Sequence, residues 1–444
     1  MNRSLNRRGF LGRMGAYSLL GYAAGRQFVV EAVARASGHT LRDNVFTRLG
    51  VRPFISANIP FTFLSATLEW PEVRQAVEEA SHYFVDIVEL QRAAGRRLAE
   101  ISGAESGMVT SGAAGAIALA TAACIAGTDP VKIYQLPDTA GLKHEVVVWG
   151  GRSVWDSAIR LAGGKPVVVR SIDELGAVLN SRTAMLHTGY PADPDPSEAP
   201  PLAEMLRLGK KAGVPVFVDA AGGIPPFENI RRYSRMGVDL YALSGGKGLC
   251  GPQCSGLLLG RKDLIDSALA NSNPVEGAVC RPMKVGKEEI MGCLAAVEKW
   301  RTIDLDALYR DQSRKLQRIA ALVETVSGVT TEIEIRRGSN RFMQLIVSWN
   351  EQSFGLGVED CARLLREGDP PISVLSNYNP YMIRIRELMP DLAPDSKVQG
   401  FKQPLTVFSL GLQPGEELTV GRRLREILKE ARARAASGVI RARP

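Results

Sequence analysis

The sequence predicts an α/β protein in which a large, mostly parallel, doubly wound sheet is followed by a smaller α/β domain. From Met108 onwards, short apolar runs typical of buried strands alternate with amphipathic stretches typical of helices. From about Arg301 the alternation continues over shorter stretches. With 444 residues, of which 45% are apolar and 23% charged, the chain has the composition of a globular protein and the length for two domains.

The elements can be assigned in chain order. Pro71 begins one amphipathic helix, and residues 85–98 form a second. The large domain is predicted to contain strands at 131–135, 145–149, 166–170, 184–188 and 214–219, with helices such as 154–162 and 202–212 between them. The predicted boundaries are 37–100 for an N-terminal arm and helices, 101–300 for the large domain, 301–435 for the small domain and 436–444 for a tail.

A lysine framed by glycines, Lys247, lies in the segment LYALSGGKGLCGPQCSGLLLG at 240–260. The first apolar run predicts a buried strand and residues 254–259 its antiparallel return, which places Lys247 on the turn between them. Burial among apolar neighbours favours the neutral amine, which is a nucleophile for carbonyls. The alternative is a surface lysine on a glycine-rich hairpin.

Two further features favour the buried, reactive lysine over the surface lysine. Asp219 ends the predicted strand 214–219, at the edge of the sheet where α/β proteins bind ligands. An Asp and a Lys on successive strand ends fit a pyridoxal-phosphate site, where the carboxylate keeps the pyridine nitrogen protonated. After Ser111, the amides at the start of an Ala-rich helix form an anion site suited to the cofactor phosphate. Tight helix packing is the alternative explanation of the Gly/Ala run.

In this order, the three features resemble the fold-type I pyridoxal-phosphate enzymes. Within them the sequence is most similar to the branch of bacterial selenocysteine synthase (seryl-tRNA selenium transferase) and D-glucosaminate-6-phosphate ammonia-lyase. The resemblance runs from about Asn58 to Leu428, with its best stretches in FVDIVELQRAAGRRLAEISGAESGMVTSGAAG, SGGKGLCGPQCSG and RPMKVGKEEIMGCLAAVEKW.

The resemblance implies a role for each of the matching residues. Lys247 is implied as the aldimine lysine, Asp219 as the pyridine partner and Ser244 as a phosphate contact. The phosphate loop is implied to consist of Ser111, Gly112 and Ala113. The region between 40 and 101 is implied to pack on a partner subunit, in a homodimer or a larger homo-oligomer.

Three more side chains are candidates for the site. His187, at a predicted strand end, either contacts the cofactor's phenolic oxygen or substrate, or is structural. Arg281 begins a cationic cluster with Lys284 and Lys287, which indicates capture of an anionic substrate group or a cofactor phosphate, with a solvated helix start as the alternative. Arg386 either grips a carboxylate in a bidentate fork or belongs to a charged sheet edge.

One position departs from the family. Relatives place a ring-stacking side chain just after the strand that here ends at Trp149, whereas this chain has glycines at 150 and 151. That leaves Arg152 or Trp155 for the role. The four histidines and six cysteines show no metal-ligand spacing, so no metal site is predicted. Cys250 and Cys254 flank the lysine turn, where the tight geometry disfavours a disulfide.

The N-terminal residues 1–36 resemble a twin-arginine export signal. Arg7 and Arg8 precede a short apolar stretch rich in Gly and Ala, and residues 34–36 supply a small-residue cleavage site. The apolar part is too short for a membrane span. The prediction is a periplasmic enzyme, with a basic amphipathic start of a cytoplasmic enzyme as the alternative.

The function predicted from the resemblance is that of a pyridoxal-phosphate-dependent lyase or transferase. Its expected chemistry is abstraction of an α-proton and β-elimination on an amino acid or amino-sugar acid. The alternatives are a seryl-tRNA selenium transferase, an aminotransferase or a racemase on the same fold. The tRNA-binding domain of the selenium transferases has no counterpart here, and much of the net charge of +8 lies at the termini, so tRNA is not the expected partner.

Overall fold

A computed structural model of the chain describes residues 43–189, 200–376 and 404–437, and the structural statements below concern these ranges. The predictions for Arg386 and for the export signal therefore lie outside the described residues. The strands of this part of the chain are β1 (Ile55–Ala57), β2 (Ser106–Thr110), β3 (Glu145–Trp149), β4 (Lys165–Val169), β5 (Thr183–Gly189), β6 (Val216–Asp219), β7 (Leu240–Ser244), β8 (Gly256–Gly260), β9 (Val329–Ile335), β10 (Met343–Trp349), β11 (Ile372–Val374) and β12 (Leu405–Phe408).

Helices alternate with these strands. The α-helices are Pro71–Ser81, Ile87–Ser102, Gly112–Ala126, Pro130–Gln135, Asp156–Leu161, Ile172–Val178, Leu202–Ala212, Asn229–Arg235, Lys262–Ala270, Lys287–Trp300, Leu305–Val323, Glu351–Phe354, Val358–Glu367 and Glu416–Ala436, and short 3₁₀ turns occupy Thr47–Leu49 and Thr62–Leu64. Among the helices of the described ranges, none has the length and apolarity needed to cross a membrane.

Seven strands form the large sheet, in the order β2-β8-β7-β6-β5-β3-β4. Neighbouring strands from β7 to β4 are parallel, whereas β8 is antiparallel to both β7 and β2. This confirms the predicted α/β fold with a mostly parallel sheet. It also confirms the antiparallel return after the lysine turn. The carboxyl ends of β5, β6 and β7 consequently lie at one edge of the sheet.

One predicted strand was wrong. Residues 131–135 form most of the helix Pro130–Gln135, although Val131 and Ile133 are β-branched. An N-cap stabilises the helix, because the Asp129 carboxylate accepts hydrogen bonds from the amides of Val131 at 3.0 Å and Lys132 at 3.4 Å. Pro130, at the first helical position, has no amide hydrogen to leave unbonded.

A smaller, antiparallel sheet has the order β12-β10-β9 and packs on the long helices Leu305–Val323 and Glu416–Ala436. The N-terminal strand β1 pairs in parallel with β11, so residues 55–57 share the apolar core of the C-terminal part of the chain. Asn58 strengthens this pairing, since its buried side-chain amide donates to the Val374 carbonyl at 2.7 Å.

The helix Gly112–Ala126 is the central element behind the large sheet. From Gly115 onwards nearly all of its residues are buried, and it packs against apolar side chains from β3, β5, β7 and β8. Its alanines are small enough to let the helix pack closely against the sheet. The first turn of this helix is thereby fixed at the carboxyl edge, beside the lysine turn.

Candidate active site

The carboxyl edge of the large sheet brings together the residues predicted from the separate motifs. Asp219, the last residue of β6, lies opposite Gly189 of β5 and Ala242 of β7. Ser244 ends β7, and Lys247 follows on the turn that leads to β8. Asp219 and Lys247 are close enough for the carboxylate to act electrostatically on the amine.

The glycines around Lys247 are required by close packing of the turn. A side chain on Gly246 would place its Cβ 2.7 Å from the Gln253 Cα, and one on Gly248 would collide with the Ile224 carbonyl. The turn is thus pressed between the return strand and the loop after β6. Burial lowers the pKa of the Lys247 ammonium, and the nearby Asp219 carboxylate opposes part of that effect. The amine is therefore more readily neutral than an exposed lysine.

Residues 61–70, here named the strap, hold the lysine turn from outside the sheet. The Thr67 hydroxyl lies 3.1 Å from the Gly246 carbonyl oxygen and 3.2 Å from that of Lys247. The Trp70 indole donates to the Leu249 carbonyl at 3.1 Å, and the Trp300 indole donates to the same oxygen at 3.2 Å. The sequence around Thr67 does not predict this contact, because Thr67 belongs to no recognisable motif.

Asp219 keeps part of its carboxylate available for a ligand. Its Oδ1 accepts a hydrogen bond from the Ala221 amide at 3.0 Å, and the Ser244 amide donates to the Ala221 carbonyl at 3.3 Å. These bonds fix the loop after β6. Within the described ranges, no hydrogen bond to the second carboxylate oxygen is present. That oxygen can accept a hydrogen bond from a protonated ring nitrogen.

His187 is buried at the same edge, and its ring stacks on that of Phe217 with centroids 5.4 Å apart. Among the described residues, neither of its ring nitrogens has a hydrogen-bond partner. Burial lowers the pKa of the imidazole, while the charges of Asp219 and Asp156 oppose the shift. A buried imidazole with two unsatisfied nitrogens is costly in a protein interior. It is the expected state of a residue that contacts a bound ligand.

The start of the helix Gly112–Ala126 has the features of an anion site. Gly112 has a φ of 71°, and the half-buried Ser111 hydroxyl makes no hydrogen bond to another described residue. The amides of the first helical turn have no partner within the helix. Gly256 of β8 approaches so closely that a Cβ there would lie 2.5 Å from the Gly112 carbonyl carbon. This packing fixes the direction of the helix, so that the amides of its first turn, including that of Ala113, face the site.

These groups fit pyridoxal phosphate. The helix start and Ser111 match its phosphate, Asp219 its ring nitrogen and Lys247 its aldehyde, while His187 offers a neutral hydrogen-bonding group beside the ring. Each of these side chains has unused hydrogen-bonding capacity within the described part of the chain. No cluster of metal-binding side chains occurs in the same ranges.

The two candidates for ring stacking differ in their surroundings. Trp155 is 48% exposed and makes no ring contact with another described residue. Arg152 forms an ion pair with Asp156, which is buried. The charge of Asp156 reaches His187, so this ion pair belongs to the electrostatic surroundings of the site. The six cysteines are free thiols, and Cys250 is buried whereas Cys254 is exposed.

The three cations of the segment after Lys247 lie in different environments. Arg281 is half-buried on a turn whose Met283 sulfur lies 3.9 Å from where a Cβ of Gly115 would be, close to the anion site. Lys284 is exposed, and Lys287 is ion-paired with Glu288. Of the three cations, Arg281 is half-buried and has no carboxylate partner among the described residues.

Comparison with known proteins identifies the class. The model of the family "Aminotransferase class-V" matches residues 159–284. A 5'-C-glycyluridine monooxygenase-decarboxylase from Streptomyces sp is 30% identical over 358 residues, covering 78% of this chain and 87% of the relative. D-glucosaminate-6-phosphate ammonia lyase from Salmonella typhimurium is 29% identical, with 73% of this chain and 88% of the relative covered. An L-seryl-tRNA(Sec) selenium transferase from Moorella thermoacetica is 24% identical, with 77% and 80% covered.

Solved structures agree with these relatives. A structure of D-glucosaminate-6-phosphate ammonia-lyase superimposes with a TM-score of 0.73 at 26% identity, covering 88% of this chain and 99% of that one. A structure of DesI, with a TM-score of 0.54 at 15% identity, shows the shared fold. The chain belongs to the fold-type I pyridoxal-phosphate enzymes, in the branch that includes the ammonia-lyase and the selenium transferases. Its cofactor is pyridoxal 5'-phosphate.

Proposed function

We propose that this enzyme is a lyase that acts on a small amino acid or amino-sugar acid, removing its α-proton and eliminating the group on its β-carbon. The β-group leaves with its bonding electron pair, and hydrolysis of the resulting enamine by water gives ammonia and a keto acid as the expected final products. The observation that carries the proposal is the convergence of Lys247, Asp219 and the Ser111 anion site on one sheet edge. The ammonia-lyase relative, which covers most of this chain, supports the same reaction class.

Each residue of the site has a separate role in this proposal. Ser111, Gly112 and Ala113 bind the cofactor phosphate, with Ser244 as a further contact from β7. Asp219 holds a proton on the ring nitrogen. Bound pyridoxal phosphate supplies an electron sink for the negative charge that develops on the substrate's α-carbon.

Lys247 has two successive roles in this proposal. It would hold the bound cofactor covalently, and in its free form its Nζ would take the α-proton of the substrate. A base must be neutral to accept a proton, and burial of Lys247 lowers its pKa in the required direction. His187 orients the ring by a hydrogen bond from one of its unsatisfied nitrogens. Arg281 lies where it can hold an anionic group of the cofactor or substrate.

Borohydride reduction tests the assignment of Lys247. Wild type reduced in the presence of pyridoxal phosphate should carry the label on the peptide with Lys247, and Lys247→Ala should lose both the label and the visible absorption band. Lys284→Ala, which removes an exposed lysine of the neighbouring segment, is the control and should retain both. A label that maps to a different lysine would overturn the assignment.

The substrate class is tested by product analysis. Amino acids, amino-sugar acids and their phosphates are incubated with the loaded enzyme, and ammonia, keto acid, racemised product and transamination product are measured. Release of ammonia with keto acid from a small molecule is the expected result. Racemisation or amino transfer without elimination would refute the lyase proposal, and turnover of seryl-tRNA would refute the choice of a small substrate.

We also infer that the enzyme is a homodimer. Tyr83, Phe84 and Val85 project from the connection between the first two long helices, and the Phe84 side chain is fully exposed. Exposed apolar clusters of this kind are typical of subunit contacts. Sedimentation equilibrium should give a dimer mass for wild type and a smaller mass for Phe84→Glu. A monomeric wild type at micromolar concentration would refute the inference.

Export to the periplasm is a further proposal, supported by Arg7 and Arg8 and by the position of every proposed site residue after residue 58. The double substitution Arg7→Lys with Arg8→Lys should retain the protein in the cytoplasm. Fractionation of the native host checks this, with Arg3→Lys as the control that should still be exported. Cytoplasmic location of wild type with an intact N-terminus would contradict the proposal.

A further inference from the structure

The backbone is strained where the strap meets the lysine turn, residues 245–255. In the described part of the chain, the residues other than glycine with a positive φ are Ser65, Ala66, Cys250 and Asn340. A side chain in this left-handed region crowds the neighbouring carbonyl, so asparagine tolerates the conformation and most other residues avoid it. Asn340 lies between β9 and β10, whereas the other three lie in the strap and the lysine turn. Strained residues of this kind concentrate at functional sites.

Hydrogen bonds between the strap and the lysine turn hold these backbones in place. The Gln253 side-chain amide donates to the Thr62 carbonyl at 2.8 Å. The Trp70 backbone amide donates to the Cys250 carbonyl at 3.2 Å, beside the bond from its indole described above. The strained conformations therefore persist because the strap and the turn are paired.

Ala66 determines where Thr67 lies. The Ala66 amide donates to the Phe61 carbonyl at 3.0 Å, which closes the 3₁₀ turn Thr62–Leu64 and reverses the chain. The next residue is Thr67, whose hydroxyl lies 3.2 Å from the Lys247 carbonyl oxygen. The left-handed backbone of Ala66 is thus one residue away from the contact that holds the lysine.

Cys250 holds the same carbonyl from within the turn. Its amide donates to the Lys247 carbonyl at 2.9 Å. Its side chain is buried, and burial raises the pKa of the Cys250 thiol to about 12. The thiolate is the nucleophilic form of cysteine, so this thiol is inert. The contribution of Cys250 to the site is therefore its backbone geometry.

We propose that Ala66 and Cys250 are positioning residues for the reactive lysine, because they hold the strap and the lysine turn in the conformation that binds the cofactor. This inference rests on the proposed covalent role of Lys247. Separation of the strap from the turn would let the left-handed residues relax, so their strain favours the separated state. Binding of the cofactor at Lys247 favours the paired state, and a ligand shifts an equilibrium towards the state it prefers. Cofactor should therefore order the strap, and added strain in the strap should weaken cofactor binding.

Three substitutions of Ala66 test the inference at one position. Glycine and asparagine accept a left-handed backbone, whereas threonine, which has nearly the volume of asparagine, is β-branched and does not. Hydrogen exchange of residues 61–70 and 245–255 is measured on the full chain with and without pyridoxal phosphate, and absorbance titration gives the cofactor Kd. Cofactor should slow the exchange of the wild-type strap. Ala66→Thr should speed that exchange and raise the Kd by about fivefold, whereas Ala66→Gly and Ala66→Asn should do neither.

The pH midpoint of cofactor uptake is a readout that overall stability does not move. Burial lowers the pKa of Lys247, and a loosened turn exposes the amine to water. The midpoint of Ala66→Thr should consequently move to higher pH, towards the usual lysine value of 10.5. Ala93→Thr makes the same exchange at an exposed position of the helix Ile87–Ser102, and it should leave the exchange of the strap, the Kd and the midpoint unchanged.

Cys250→Gly separates the backbone from the thiol. Glycine suits the left-handed conformation, so this variant should keep the cofactor Kd within about threefold of wild type. A larger loss would assign the contribution of Cys250 to its thiol and contradict the role inferred for its backbone.

Equal exchange and equal Kd in Ala66→Thr and Ala66→Asn would overturn the inference, as would a wild-type strap whose exchange does not respond to cofactor. The visible cofactor band separates these outcomes from failure of the proposed function. A normal band with unaltered exchange and Kd in Ala66→Thr refutes only the positioning role. Absence of the band from wild type refutes the proposed role of Lys247 itself.

Discussion

Gly256→Ala tests whether the contact between β8 and the helix start controls cofactor binding. The added Cβ would lie 2.5 Å from the Gly112 carbonyl carbon and 2.8 Å from the Ala113 nitrogen. Both are backbone atoms, which cannot rotate away as a flexible side chain can. Restoring an ordinary contact distance requires a displacement of about 1 Å. We expect this overpacking to lower the free energy of unfolding by about 1–3 kcal/mol.

The same displacement moves the proposed phosphate-binding amides. Because a misplacement of about 1 Å can reduce activity by about 100-fold, we expect the cofactor Kd to rise by a factor of about 10–100. Absorbance titration measures that Kd, and denaturant unfolding measures the stability. Gly176→Ala is the matched control, since an added Cβ there meets nothing within 4 Å. A Gly256→Ala protein with a cofactor Kd within twofold of wild type would refute the reasoning.

Three further predictions concern the lysine and its supports. Asp219→Asn should retain cofactor but lose about 2.7–4 kcal/mol of transition-state stabilisation, as for the loss of one preorganised electrostatic contact; kcat/KM within a factor of two of wild type would contradict this. Thr67→Val should destabilise the lysine turn by about 1 kcal/mol and speed hydrogen exchange of the Lys247 segment, whereas Thr67→Ser should not, and equal exchange in both variants would count against the strap. Because burial lowers the pKa of Lys247, cofactor uptake by the cofactor-free protein should rise with pH and level off below the usual pKa of 10.5. Asp219→Asn removes the opposing charge, so its uptake midpoint should move to lower pH, and a midpoint at or above the wild-type value would refute the electrostatic argument.

Local signals were sufficient to predict the main parts of the fold. The runs that end at Asp219 and Ser244 are apolar and short, so the strands and their common edge follow from periodicity alone. The placement of Lys247 on a turn also follows, because glycines flank it between two such runs. The β-branched Val131 and Ile133 predict a strand at 131–135. In the structure these residues form a helix, which the Asp129 cap stabilises.

Long-range contacts account for what the sequence did not reveal. Thr67 lies 179 residues before Gly246, and nothing in the strap's own composition marks it as a partner of the lysine turn. Such properties depend on which segments the tertiary fold brings together.

The pairing of β1 with β11 has a mechanical consequence for the lysine. The chain leaves this pair, which belongs to the core beneath the small sheet, and runs directly into the strap that holds the Lys247 carbonyl. It therefore connects the two sheets covalently. The core beneath the small sheet is thus covalently continuous with the segment whose Thr67 hydroxyl lies 3.2 Å from the Lys247 carbonyl oxygen.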